Sequence, residues 1–93
     1  MRHVHVIVHG RVQGVGYRFA LQQFAQKHGL TGWVRNRRDD AVEAVLVGDP
    51  VAVDTALAWM EQGPAGAEVT SLETAGGAFA TPLGDGFQIR PNA

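Results

Sequence analysis

The residues with the clearest chemical potential lie in a glycine-rich segment near the N-terminus, which reads Gly10-Arg11-Val12-Gln13-Gly14-Val15-Gly16-Tyr17-Arg18. Two glycines separated by one residue let the backbone turn tightly, so that successive amide hydrogens converge on one anion. The start of a helix would add partial positive charge at the same place. The segment is therefore a candidate phosphate-binding loop. The alternative is that its glycines only turn the chain from a strand into a helix.

Arg18 falls in the first turn of that predicted helix. A cation at this position opposes the helix dipole by a few tenths to about 1 kcal/mol, and a bound phosphate would compensate for it. A guanidinium meets phosphate through two parallel charged hydrogen bonds, which lysine does not reproduce. The segment lacks the third glycine of a dinucleotide fingerprint and the Gly-Lys-Ser/Thr of a nucleotide P-loop, so both of those interpretations are excluded.

Asn36 closes a second motif, Gly32-Trp33-Val34-Arg35-Asn36. Asparagine is disfavoured in strands and common in turns, so one interpretation is that it closes the following hairpin. Its amide also carries a donor and an acceptor, which hold a water molecule through two contacts without changing charge with pH. Asn36 is therefore a candidate for orienting a water nucleophile.

Hydrophobic periodicity predicts the elements that must position these residues. Residues 3–9 alternate, which indicates a half-buried strand with Val4, Val6 and Val8 on the core face. Apolar residues at helical spacing predict a helix from about Gly16 to His28. The later elements are strands at 30–37 and 42–47 joined by a turn at 37–40, a helix from Asp49-Pro50 to Gly63-Pro64, a strand at 69–74, a loop at 76–85 and a short strand at 86–90.

This order predicts the α+β class, a ferredoxin-like βαββαβ sandwich. We expect an antiparallel sheet with both helices on one face and a short extra C-terminal strand. A length of 93 residues fits one domain, spanning 1–93. The fold hosts many activities, so the site must decide the function.

Composition excludes several classes of function. The chain has no cysteine, which removes disulfides, thiolate zinc sites, iron–sulfur clusters and cysteine nucleophiles. A net charge of −1 gives no field that favours nucleic acid or an anionic membrane. An RNA-recognition domain would also need stacking aromatics on its inner strands, and residues 42–47 contain none. The apolar N-terminal stretch is too short for a signal peptide or a membrane span, so we expect a cytoplasmic protein.

Three other sets of residues have a chemical and a structural interpretation. The predicted strand places His3, His5 and His9 on one face, but an outer pair about 20 Å apart favours an exposed surface over a metal site. The basic cluster Arg35, Arg37 and Arg38 either attracts anionic substrates or forms a solvated turn balanced by neighbouring aspartates. The aromatic residues Trp33, Trp59, Tyr17 and Phe19 are expected to pack, with Trp33 also a candidate wall of the site.

The glycine-rich segment and the Asn36 motif, followed by Val42-Glu43 and Gly63-Pro64, resemble the acylphosphatase family in order over about residues 4–90. The resemblance implies a ferredoxin-like fold and hydrolysis of acyl phosphates to carboxylate and inorganic phosphate, without metal or cofactor. Arg18 matches the phosphate-binding arginine and Asn36 the residue that positions the attacking water. The family's phosphate-binding loop corresponds to Gln13, Gly14, Val15, Gly16 and Tyr17.

The resemblance also implies that the partner is a small acyl phosphate, and we expect a monomer. One position departs from the family, since Asp40 stands where members often have glycine; this affects the hairpin turn and not the site. Neither motif contains a carboxylate or histidine, so we expect either the substrate's own phosphate oxygen or the solvent to accept the proton of the attacking water. The alternative function is a non-catalytic phosphate- or anion-binding regulatory module of the same fold.

Overall fold

The computed structural model describes residues 1–76 and 86–93 and contains the predicted elements in the predicted order. They are β1 (Arg2–Arg11), α1 (Tyr17–Lys27), β2 (Thr31–Asn36), β3 (Val42–Gly48), α2 (Pro50–Gln62), β4 (Glu68–Gly76) and β5 (Phe87–Ile89). The predicted ferredoxin-like order is confirmed. Of the predicted loop at 76–85, Gly76 ends β4 and the rest lies outside the described residues.

The strands form one sheet in the order β4-β1-β3-β2-β5. Strands β1 to β4 pair antiparallel, as predicted, but β5 pairs parallel with β2. The prediction of an antiparallel sheet is therefore wrong for the last strand. Because β4 and β2 run in opposite directions, a strand that reverses its direction after β4 must run parallel to β2.

Both helices cover one face of this sheet. Val4, Val6 and Val8 are buried against them, so the predicted core face of β1 is confirmed. Helix α1 buries Leu21 and Ala25, and α2 contributes three further residues to the same core, Val53, Ala56 and Met60. Burying a valine, leucine or methionine side chain contributes about 1.5–3 kcal/mol to the free energy of unfolding. The layer between the helices and the sheet is therefore the main source of stability.

The ends of the elements follow the local sequence signals. Asp49 accepts a hydrogen bond from the Val51 amide at 2.9 Å, and Pro50 takes the first position of α2. In the β2–β3 hairpin the Arg37 amide donates to the Ala41 carbonyl at 2.8 Å, and Asp40 adopts a left-handed φ of 66°. Neither helix of the described chain is long and apolar enough to cross a membrane.

The other face of the sheet carries paired polar groups. His5 Nε2 lies 2.6 Å from Glu43 Oε2, and Arg35 Nε donates to Glu43 Oε1 at 2.7 Å. Farther along β1, His9 pairs with Glu73. Within residues 1–76 and 86–93 no group of three metal-ligating side chains comes together. The structure thus gives His5 and His9 carboxylate partners on the outer face of the sheet.

The ion pairs of Glu43 should contribute to the free energy of unfolding in a pH-dependent way. Burial of its carboxyl group raises the pKa, but hydrogen bonds from His5 and Arg35 and their positive charge outweigh this effect, so the pKa lies below its usual value. A carboxyl group whose pKa is lowered by folding stabilises above the unfolded pKa, and that stability is lost as pH falls through the folded value. Glu43→Gln should lower the free energy of unfolding by about 1–2 kcal/mol near neutral pH.

Urea denaturation of both proteins near neutral pH, and again below the lowered pKa of Glu43 in the folded state, measures this effect. The difference between wild type and Glu43→Gln should shrink in acid because the wild-type carboxyl group is then protonated. Glu68→Gln, at an exposed position on β4, is the control for removing one negative charge. A Glu43→Gln deficit that is equally large at both pH values would contradict the electrostatic explanation.

Candidate active site

The connection between β1 and α1 contains two glycines in the left-handed region. Gly14 has φ 77° and Gly16 has φ 78°. A Cβ atom added to either would meet no described atom within 4 Å, so backbone conformation and not crowding selects glycine here. The surface over both residues is therefore open, and the backbone of the connection is accessible to a ligand.

Helix α1 starts without an acidic side chain to offset its dipole. Its first backbone bond runs from the Ala20 amide to the Gly16 carbonyl at 3.0 Å, so the amides of Tyr17, Arg18 and Phe19 precede the intrahelical ladder. Arg18 occupies the first turn, as predicted. Among the described residues, no carboxylate lies within ion-pair distance of its guanidinium. Amide donors and an unpaired cation thus share one end of the helix, an arrangement suited to an anion.

Three of the predicted loop residues turn their side chains elsewhere. Gln13 donates through Nε2 to the carbonyls of Arg37 and Ala41, at 2.8 and 2.9 Å, and so ties the loop to the β2–β3 hairpin. Val15 packs against the core. Tyr17 is buried, its hydroxyl donates to the Met60 carbonyl at 2.8 Å, and burial raises its pKa. Gln13 Nε2 and the Tyr17 hydroxyl are therefore engaged within the fold, and the main-chain amides of these residues are their candidate contacts to a ligand.

Asn36 is the last residue of β2 and lies on its helix-covered face, two residues after the buried Val34. Its main-chain carbonyl accepts a hydrogen bond from the Ala93 amide at 2.9 Å. Its side-chain oxygen is buried and has no hydrogen-bond partner among the described residues. Buried polar atoms are normally partnered, so an unpartnered amide oxygen suggests a missing ligand or water.

One cavity of about 200 Å³ brings the main candidates together. It is lined by Val12, Gly14, Gly16, Tyr17, Arg18, Phe19, Asn36 and Ile89. Arg18 and Asn36, which are 18 positions apart in the sequence, therefore face the same space. Of the other predicted site residues, two glycines and Tyr17 line the cavity, whereas Gln13 and Val15 do not.

Sequence reasoning missed the residues that the C-terminal segment brings to the cavity. Ile89 lines it directly. Arg18 Nη1 approaches Asn92 Oδ1 at 3.5 Å, the outer limit of a hydrogen bond. The C-terminal segment reaches the cavity because it runs alongside β2. The Arg90 amide donates to the Val34 carbonyl and so extends the pairing of β5 with β2. No local motif marks Ile89 or Asn92, and only the parallel pairing of β5 brings them close to Arg18.

Three expectations for the surrounding residues have different outcomes. Phe19 was expected to pack at the helix start but is 62% exposed, so that prediction is wrong. The proposal of Trp33 as a wall of the site is also wrong, since Trp33 lies on the opposite face of the sheet and does not line the cavity. The Cζ atoms of Arg35 and Arg90 lie over its ring, 4.9 and 5.0 Å from the ring centroid. Trp59 packs as expected, with its ring 5.3 Å from that of Phe24.

The basic cluster after Trp33 is largely neutralised by acidic neighbours. Arg35 pairs with Glu43, and Arg37 Nε lies 3.4 Å from Asp39 Oδ1. Arg38 is exposed on the turn. The solvated-turn interpretation therefore fits Arg37 and Arg38, whereas Arg35 pairs across the sheet. None of the three lines the cavity that contains Arg18 and Asn36.

Comparison with known proteins agrees with this geometry. A family model described as acylphosphatase matches residues 4–89. The chain is 56% identical to acylphosphatase 2 of Ralstonia nicotianae over 86 residues, and this alignment covers 92% of this chain and 90% of the relative. The crystal structure of acylphosphatase from Bacillus subtilis is similar with a TM-score of 0.90 and 33% identity, covering 97% of this chain and 99% of that one. An acylphosphatase from Coxiella burnetii gives a TM-score of 0.87 at 30% identity, covering 96% and 92%.

The fold and these similarities define a small hydrolase. The chain belongs to the acylphosphatase family, because the family model spans nearly all of it and a relative above half identity covers most of both chains. The predictions of family, ferredoxin-like fold and enzyme class are confirmed.

Proposed function

We propose that this protein hydrolyses acyl phosphates, the mixed anhydrides of a carboxylic acid and phosphoric acid, in the cavity between the β1–α1 connection and the end of β2. The observation that carries the proposal is that three features meet at one cavity: the uncapped start of α1, Arg18, and Asn36 at the end of β2. The names of the similar proteins support the same substrate class.

The phosphate group binds at the start of α1. The main-chain amides of the connection and of the first helical turn donate to its oxygens, and the helix dipole adds favourable charge. Arg18 supplies a guanidinium that binds two phosphate oxygens at once. To do so it exchanges its long contact with Asn92, which is weak enough to be displaced. The glycine conformations keep the approach free of side chains.

Asn36 orients the attacking water. Its side-chain amide carries a donor and an acceptor for holding the water, and Asn36 lines the same cavity as the glycines and Arg18 that are proposed to bind the phosphate. Fixing a nucleophile next to its target replaces a bimolecular encounter with a unimolecular step, which is among the largest available catalytic effects. No charged group is needed for this role, since the carbonyl of an acyl phosphate is already activated.

The reaction needs no general base from the protein. None of the described residues that line the cavity is a carboxylate or a histidine. The water oxygen attacks the carbonyl carbon, its proton passes to a phosphate oxygen of the substrate, and the bond from the carbonyl carbon to the bridging oxygen breaks. Carboxylic acid and inorganic phosphate result, and Arg18 with the loop amides stabilises the negative charge of the leaving phosphate. Arg18, Asn36 and the loop glycines line one cavity within a single chain, so the proposed reaction does not require a second copy.

Incubation with benzoyl phosphate tests the proposal. Release of inorganic phosphate should exceed the spontaneous rate and should follow enzyme concentration. The second candidate function, an anion-binding module without catalysis, uses the same loop and arginine. It predicts that calorimetry detects phosphate binding while benzoyl phosphate is hydrolysed no faster than in buffer, and that result would overturn the proposed activity.

A further inference from the structure

The cavity has an apolar side that the proposed phosphate and water contacts do not use. Four large hydrophobic side chains are exposed in the described part of the chain: Met1, Phe19, Val51 and Ile89. Two of them, Phe19 and Ile89, line the cavity that contains Arg18 and Asn36. Exposed apolar residues scattered singly need no explanation, but two at the mouth of a polar site suggest a ligand with an apolar part.

Packing within the fold does not explain why an aromatic residue stands at position 19. Helix α1 directs Tyr17, Leu21 and Ala25 into the core, at helical spacings of four residues. Phe19 follows Tyr17 by two positions, which rotates it about 200° around the helix axis and away from the sheet. Its ring is 62% exposed. Phe19 therefore adds an apolar surface beside the polar groups at the start of α1 and does not contribute to the core.

Ile89 completes the same surface from the sheet. It pairs with Val34 across the parallel contact of β5 and β2, and Asn36 follows Val34 by two residues on the same face. Phe87, two residues before Ile89, is buried under the helices. Ile89 itself is 39% exposed because it lies at the mouth of the cavity. Phe19 on α1 and Ile89 on β5 therefore border one opening.

We infer that Phe19 and Ile89 form the binding surface for the acyl group, so that this protein prefers acyl phosphates with aromatic or bulky apolar acyl groups over acetyl phosphate. The inference rests on the proposed function. An acyl phosphate has a charged end and an acyl end, joined at the carbonyl carbon. With the phosphate on the loop amides and Arg18, and the carbonyl carbon beside the water on Asn36, the remaining lining for the acyl group is apolar. Val12 forms the buried base of this apolar side.

Steady-state kinetics with benzoyl phosphate and acetyl phosphate test the inference. Wild type should show a higher kcat/KM for benzoyl phosphate, after subtraction of the spontaneous rates. Phe19→Ala should lower kcat/KM for benzoyl phosphate by about 3- to 10-fold, as expected for loss of a partly exposed aromatic contact. The loss on acetyl phosphate should be smaller, because a methyl group has little surface to cover the ring. Phe19→Leu should fall between wild type and Phe19→Ala.

A matched control separates this effect from a general change in surface hydrophobicity. Val51 is 73% exposed on the first turn of α2 and does not line the cavity, so Val51→Ala should leave both kcat/KM values unchanged. The inhibition constant for inorganic phosphate reports on the phosphate subsite and should be the same in Phe19→Ala as in wild type. Thermal unfolding followed by circular dichroism checks that both variants remain folded.

The outcomes distinguish failure of the inference from failure of the proposed function. If wild type hydrolyses both substrates but Phe19→Ala leaves both kcat/KM values unchanged, the acyl-binding surface is wrong and the hydrolysis stands. Equal losses on both substrates would also overturn it, since the ring would then act on a step common to both. If wild type hydrolyses neither substrate, the proposed function fails, and the inference that rests on it fails with it.

Discussion

Replacing Arg18 with alanine should lower kcat/KM for benzoyl phosphate by about 10²–10³-fold, the usual loss for one preorganised group that stabilises charge in the transition state. The guanidinium shares the cavity with Asn36 and has no ion-pair partner among the described residues, so its charge is available to the phosphate. The inhibition constant for inorganic phosphate should rise in parallel, because the lost contact is to the phosphate group itself.

Two further variants establish what the arginine contributes. Arg18→Lys should recover little activity, since an ammonium group does not bind two phosphate oxygens in one plane. Arg38→Ala is the matched control, because it removes the same charge from an exposed turn outside the cavity, and it should change kcat/KM by less than about twofold at physiological salt. A folded Arg18→Ala enzyme that keeps more than about a tenth of wild-type activity would remove Arg18 from the proposed chemistry.

The stability of Arg18→Ala provides an independent check on its position. A cation in the first turn of a helix opposes the helix dipole, so its removal should leave the free energy of unfolding unchanged or raise it slightly. The weak contact with Asn92 offsets little of this effect. Lower activity combined with equal or higher stability is expected of a residue that serves binding and catalysis and contributes little to folding.

Local sequence signals were sufficient to predict where Arg18 and Asn36 lie in the fold. The alternation of β1 fixes its core face, and the paired glycines with the following helical spacing place Arg18 on the first turn of α1. The alternation of β2 places Asn36 on the same face as Val34. These properties depend on residues close together in the sequence. Their meeting in one cavity then follows from the ferredoxin-like order, which puts the start of α1 beside the end of β2.

The apolar half of the site could not be predicted in the same way. Ile89 reaches the cavity, and Asn92 reaches Arg18, only because β5 pairs with β2, a contact between segments more than 50 residues apart. An alternating pattern does not identify a strand's partner or its direction, which is why the parallel pairing was missed. Phe19 was misjudged because aromatic residues are usually buried, and burial depends on what lies above the helix surface. Trp33 is close to Asn36 in sequence, yet alternation directs their side chains to opposite faces.

Replacing Asn36 with alanine should lower kcat for benzoyl phosphate by about 10²-fold while leaving the inhibition constant for inorganic phosphate within about twofold of wild type. The amide is proposed to contact the water and not the phosphate, so the loss should fall on the chemical step. Most substitutions of a buried polar residue destabilise a protein through lost hydrogen bonds. Here the side-chain oxygen has no partner in the described structure, so alanine removes an unsatisfied atom at little cost in stability.

Asn36→Asp separates orientation of the water from the charge of the site. The two side chains have nearly the same shape, and a carboxylate oxygen also accepts a hydrogen bond from water. Its negative charge would face the bound phosphate, so this variant should lose affinity for inorganic phosphate as well as kcat, whereas Asn36→Ala should lose kcat alone. Measuring kcat, the phosphate inhibition constant and the thermal midpoint for both variants distinguishes the two effects. A folded Asn36→Ala enzyme with kcat within about threefold of wild type would mean that the water is oriented by another group.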